Sequence, residues 1–221
     1  MPDTTFDVTP GTGTDFSMLG VTSVNGVTVD QQLIQRLVWS KKTSADAIAD
    51  VDDNNPMPFL SLNRVTTTTV DITRPADTTA YAVNDALSDS TSAPTSGGFT
   101  LSSLSRASGR SVMISDVLVM SSNNAATALQ GEIWLFDTAV TNVNDNSAFA
   151  ISDAENKTVV GVIPFTLEAG TNNSFAHIRN LNLFATPSGS ANLRFLIRVK
   201  NVYTPASAEV ITVRVKSLQV D

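Results

Sequence analysis

From residue 65 onward, apolar and polar positions alternate in short runs, and clusters of Gly, Asn, Asp, Ser and Pro separate the runs. A period of two sends successive side chains to opposite faces of a strand. The runs cover residues 65–72, 80–83, a short stretch from Phe99, 111–120, 129–136, 158–167, 175–184, 193–200 and 210–220. Short strands at this spacing, with turn residues between them, predict an all-β fold rather than βαβ units. The expected architecture is an antiparallel β-sandwich, with a jelly roll as its form.

The alternation also assigns faces. In residues 193–200, Phe195, Ile197 and Val199 share one side, and Arg194, Arg198 and Lys200 share the other. In the last run Ile211, Val213 and Val215 point inward, while Thr212, Arg214 and Lys216 point out. Such strands have one wet face. The run Glu132-Ile-Trp-Leu-Phe136 is apolar on both sides after its first residue, which predicts a central strand covered on both faces with Trp134 in the core.

The first 64 residues follow a different pattern. Asn25-Gly26 lies between two β-type runs, a strong hairpin signal. Residues 32–39 fit either a helix, with Leu33, Ile34, Leu37 and Val38 on one side and Asp30 as its cap, or a strand. The polar stretch 50–58, with two prolines, continues neither and is expected to be a linker. The chain therefore divides into 1–64, an N-terminal docking arm or peripheral hairpin, and 65–221, the sandwich. Phe16, Met18, Leu19, Leu33, Ile34, Leu37, Val38 and Trp39 are more apolar surface than so short an arm hides within itself. Leu33, Ile34, Leu37 and Trp39 are accordingly the arm's expected contacts with a partner.

Charge narrows the function. The net charge of −7 disfavours nucleic-acid binding, which needs clustered Lys and Arg. No apolar run approaches the length that spans a bilayer, and the start at Met1-Pro-Asp lacks the basic and apolar regions of a secretory signal. Neither nucleic acid nor membrane is an expected partner, and synthesis in the cytoplasm is expected. The charge is uneven: the first 64 residues are acidic, while the basic residues Arg194, Arg198, Lys200, Arg214 and Lys216 crowd the end. Those five form either an ordinary solvated face or a stripe that docks on an acidic partner.

Candidate chemistry is sparse. The chain has no cysteine, which removes disulfides, thiolate metal sites and a cysteine nucleophile together. Its one histidine, His177, has no Gly-x-Ser-x-Gly elbow to serve and no second histidine for a zinc site. Two acidic, Asn-rich clusters bear on calcium: Asp50, Asp52 and Asp53 with Asn54, and Asn142, Asn144 and Asp145 with Asn146. Neither follows the spaced EF-hand pattern, so solvated loops are the stronger reading of both. No cofactor and no enzymatic activity are expected. No repeat at a period of 20–50 residues stands out.

The stretch Val70-Asp-Ile-Thr-Arg-Pro-Ala-Asp-Thr-Thr-Ala-Tyr-Ala-Val-Asn-Asp85 resembles virion structural proteins of tailed bacteriophages, in which an Arg-Pro-Ala-x-Thr-x-Ala-Tyr-x-x-x-Asp run opens a β-sandwich. The upstream Asn55-Pro-Met-Pro58, the loop Ser88–Pro94, Phe99, Ile133–Asp137 and Asn144-Asp-Asn146 match in the same order. The resemblance covers residues 55–221. The family has Gly where this chain has Asn84, a residue that also tolerates positive φ. The resemblance implies a non-enzymatic virion component. A head (capsid) decoration protein is the leading expectation, because the chain is short and acidic and lacks heptads and fibre repeats; a tail or adsorption-apparatus protein is the alternative. Its implied partners are the major capsid protein or neighbouring virion proteins, and it is expected to be a homo-oligomer, a trimer before a dimer.

Overall fold

Two antiparallel sheets pack face to face in the computed structural model, which describes residues 64–124 and 128–220. The predicted hairpin at Asn25-Gly26, the ambiguous stretch 32–39, the linker and the docking residues Leu33, Ile34, Leu37 and Trp39 lie outside the described residues.

The strands are β1 (Arg64–Thr73), β2 (Ala86–Leu87), β3 (Phe99–Leu101), β4 (Val112–Ser121), β5 (Gln130–Phe136), β6 (Val159–Thr166), β7 (Glu168–Ala169), β8 (Ser174–Ile178), β9 (Leu183–Ala185), β10 (Leu193–Val199) and β11 (Val210–Gln219). One sheet has the order β1-β11-β4-β8-β7, with β9 also on β4; the other has β2-β10-β5-β6, with β3 also on β10. We call these sheet I and sheet II. The long strands lie on the runs predicted from alternation, within a residue or two at each end.

Ile72, Ile114, Val117, Val119, Ile211, Val213 and Val215 of sheet I meet Phe99, Ile133, Leu135, Ile163, Phe195, Ile197 and Val199 of sheet II in one buried cluster. Each such side chain contributes about 1.5–3 kcal/mol by leaving water, which makes this layer the main source of stability. The face assignments for β10 and β11 hold: Phe195, Ile197, Val199, Ile211, Val213 and Val215 are buried, and Arg214 and Lys216 are exposed.

Three expectations change. Trp134 is not in the inter-sheet core. It lies half-buried on the outer face of sheet II, against a small second cluster of Phe136, Val140 and Leu196, with Phe149, Ile151 and Val159. The strand is covered on both faces, as its sequence predicts, but the outer cover is a loop, and a loop leaves the largest ring partly wet. The run 175–184 is two strands, because Asn180 and Asn182 adopt φ of 57° and 47° and break the extension. Residues 80–83 form only a single bridge, Tyr81 to Tyr203.

The structure also contains a short helix, α1 (Asp153–Asn156), held by a capping box in which Ser152 and Glu155 satisfy each other's backbone N–H groups. Its Ser-x-x-Glu signature is in the sequence. Asn84 has φ of 73°, the conformation its place in the motif requires.

Candidate functional site

The five carboxy-terminal cations do not make one stripe. Arg194, Arg198 and Lys200 project from β10 or just beyond it, whereas Arg214 and Lys216 belong to β11. These strands sit in different sheets, so their outward faces are on opposite sides of the sandwich. Spacing along the chain cannot show this, because adjacent runs look alike whichever sheet receives them.

The sheet II group is largely neutralised in place. Arg198 donates from Nε to Glu132 Oε2 at 2.9 Å, and its Nη2 bonds the same oxygen. Lys200 Nζ lies 3.4 Å from Glu132 Oε1. Arg194 donates to the Thr100 hydroxyl. The Arg198 guanidinium lies over the Trp134 ring, 4.9 Å from its centroid, and 5.8 Å from that of Phe149. Trp134 Nε1 completes the set by donating to Glu132 Oε2 at 3.1 Å. Burial raises the pKa of Glu132, but the hydrogen bonds from Arg198 and Trp134 and the charges of Arg198 and Lys200 outweigh it, leaving the carboxyl below the ordinary range. Arg198 is a clamp between aromatic and acidic neighbours rather than an open surface charge.

On sheet I, Arg214 and Lys216 border a shallow outer depression with Thr67, Asp116, Leu118 and His177. His177 Nε2 stands 3.8 Å from Asp116 Oδ1, and Arg179 Nε donates to His177 Nδ1 at 3.0 Å. The histidine is thus held between a carboxylate and a guanidinium on an exposed sheet face. On the inner face of the same sheet the Thr66 and Ser217 hydroxyls lie 2.8 Å apart and link β1 to β11.

The most connected polar group is one that neither spacing nor charge singled out. Arg74, Tyr81 and Asp145 meet at the end of the sandwich, each almost completely buried. Arg74 Nη2 pairs with Asp145 Oδ2 at 2.8 Å, and its Nε donates to the Tyr81 hydroxyl. Tyr81 donates in turn to Asp145 Oδ1 at 2.6 Å, and the Ser88 N–H reaches the same oxygen at 2.8 Å. Asp145 therefore serves as an internal counter-ion, and its place in the Asn-rich cluster is structural. Among the described residues no group of three or more His, Cys, Asp or Glu is arranged to hold a metal.

A second node adjoins the first. The Tyr203 ring is stacked with that of Tyr81 at 6.5 Å. Its hydroxyl lies 2.8 and 3.0 Å from the two oxygens of buried Glu209, which also accepts from Ser121 and from the Ala206 N–H at 2.9 Å. Burial pushes both tyrosine hydroxyls far above the ordinary range, so both stay protonated and keep donating. The two nodes tie the segment after β1 to the loop before β11: the Arg74 N–H donates to the Glu209 carbonyl at 2.9 Å.

No family model matches the chain, and no curated protein matches it. Solved structures similar to it include a virus-like particle of the extra small virus of the giant freshwater prawn Macrobrachium rosenbergii, at 12% identity over 84% of this chain and 97% of that one, with a TM-score of 0.27. The capsid asymmetric unit of cyanophage Pam1 is similar at 15% identity over 83% and 98%, with a TM-score of 0.29. Mud crab tombus-like virus follows at 12% over 90% and 94%, with a TM-score of 0.26. Likeness at these values transfers no function.

Proposed function

We propose that this chain is a non-enzymatic structural protein of a bacteriophage virion, made in the host cytoplasm and bound to the head beside the major capsid protein as a decoration protein. The observation that carries the reading is the fate of the shared motif. Arg74, Tyr81 and Asp145, three of its residues, hydrogen-bond one another out of solvent. A motif spent on closing a sandwich specifies a scaffold, whereas a catalytic one leaves its groups facing a substrate.

The strand order supports the same reading. β2 and β3 share the partner β10, and β8 and β9 share β4. Counting each pair as one strand of the sandwich, and setting aside short β7, the sheets run 1-8-3-6 and 2-7-4-5. That order supports reading the sandwich as a jelly roll, an architecture that recurs in viral capsid and lectin domains. Fold alone does not choose between those uses; the resemblance to phage virion proteins favours the virion.

In this reading residues 1–64 are the docking segment, with Leu33, Ile34, Leu37 and Trp39 as its apolar contacts, and 65–221 fold without them. Arg214 and Lys216 offer a secondary, salt-sensitive contact. The test is quantitative mass spectrometry of purified particles of the phage that encodes the chain. A copy number comparable to that of the major capsid protein supports decoration; one near that of the tail components moves the protein to the tail or adsorption apparatus; absence from the particle overturns the reading. Particles lacking the protein should recover it from the full chain and not from 65–221.

A further inference from the structure

Sheet edges expose unpaired backbone groups that can pair with another strand, and proteins ordinarily blunt them. Three edges of this sandwich are blunted. Sheet I ends on one side in β7 and β9, of two and three residues. Sheet II ends in β2 and β3, equally short, and on its other side in β6, which contains Pro164 and so lacks a donor. β1 is different. It is ten residues long, Arg64-Val-Thr-Thr-Thr-Thr-Val-Asp-Ile-Thr73, without proline or lysine, and its register to β11 runs from end to end without a bulge. No strand among the described residues pairs with its other side. Half of its backbone N–H and C=O groups point that way, as in any edge strand.

We propose that the free edge of β1 takes β1 of a second copy, antiparallel, so that sheet I continues across two copies of the chain. This rests on β1 alone and not on the virion reading. A second copy is the occupant because it supplies a strand of the same length, and because the pairing brings no like charges together. In a continuous sheet, opposed residues must lie on the same face, so the two-fold axis passes through a residue rather than between two. Full overlap leaves two registers. Centred on Thr68, the pairing sets Thr66 against Val70 and Arg64 against Ile72; centred on Thr69, it sets Thr67 against Asp71 and Thr68 against Val70. In both, residues 64 and 71, the only charges of the strand, are kept from their own copies in the partner. The contact is isologous, the same patch on both copies, and main-chain hydrogen bonds supply its strength.

The chain has no cysteine, which makes the register measurable. Four full-length variants carry a single cysteine each: Thr68→Cys, Thr69→Cys, Thr66→Cys and, on the β6 edge, Thr166→Cys. Mild oxidation in solution should cross-link Thr68→Cys or Thr69→Cys at least tenfold faster than the other two. Opposed residues on paired strands come within disulfide reach, whereas position 66 lies about four residues from its copy in the Thr68-centred register and about six in the Thr69-centred one, roughly 13 and 20 Å at strand rise. Circular dichroism and melting confirm that each variant is folded before cross-linking is scored. Equal rates at all four positions, or no dimer from Thr68→Cys and Thr69→Cys in folded protein at concentrations where the others also stay monomeric, overturn the proposal.

Discussion

Arg74 and Asp145, 71 positions apart, form a 2.8 Å ion pair in which neither side chain has any exposed surface. Breaking a buried pair from one side leaves a charge with no compensation, at a cost of about 3–5 kcal/mol. Asp145→Ala should therefore rank among the most destabilising single changes in denaturant melts. Replacing both partners with apolar residues, Arg74→Met with Asp145→Leu, should recover most of the loss. If Asp145→Ala melts like the parent, the node does not hold the sandwich closed.

Arg198 and Trp134 should prove energetically coupled. The guanidinium stacks on the indole while both bond Glu132, so removing either loosens the other. Each alanine substitution should cost about 1–3 kcal/mol, in the range for charge-assisted hydrogen bonds with a cation–π contact. The double mutant should fall short of the sum by about 0.5–2 kcal/mol. Additive effects would mean that the stack contributes nothing beyond separate packing.

Stability should decline in acid. Backbone and side-chain hydrogen bonds from Thr141 and Ser152 hold Glu155 at a pKa of about 2, and Glu132, Asp77 and Asp89 are also lowered. A carboxyl whose folded pKa lies below its unfolded value stabilises the fold at pH above the unfolded value, and that stability is lost as pH falls through the folded one. Melting temperature should accordingly be level above about pH 5 and drop between roughly 4.5 and 2. Glu155→Gln should flatten the lower part of that drop. An unchanged acid limb in the variant would remove Glu155 from the explanation.

Gly131 should not tolerate a side chain. A Cβ built there would stand 2.6 Å from Phe165 Cζ and 2.9 Å from Cε1, on the residue paired with it across β5 and β6. Gly131→Ala should cost about 1–3 kcal/mol by overpacking. Adding Phe165→Leu, which removes the ring, should relieve most of that penalty and leave only the 3.1 Å approach to the Arg198 carbonyl oxygen. Thermal melts of the two backgrounds test this, and an equal penalty in both would place the strain elsewhere.

What could be read without coordinates was whatever depends on near neighbours in the chain. Alternation located the long strands and placed Ile211, Val213, Val215, Phe195, Ile197 and Val199 inside, because side-chain direction in a strand follows from parity alone. The Ser152-x-x-Glu155 cap is local in the same way, its partners being three residues apart, but it was not among the elements expected from the alternation. Pairing between distant segments was not legible. Whether Arg198 and Arg214 share a face depends on which sheet receives each strand, and the strand order separates them. Trp134 left the core because a loop around Phe149, not a strand, covers the outer face of sheet II. Asp145 looked like a solvated loop carboxylate by its neighbours, Asn144 and Asn146, and became a buried counter-ion only when folding brought Arg74 and Tyr81 to it. Apolar periodicity is written locally; the cost of burying a charge is met by whichever residue the topology delivers, so only the tertiary structure could name the partner.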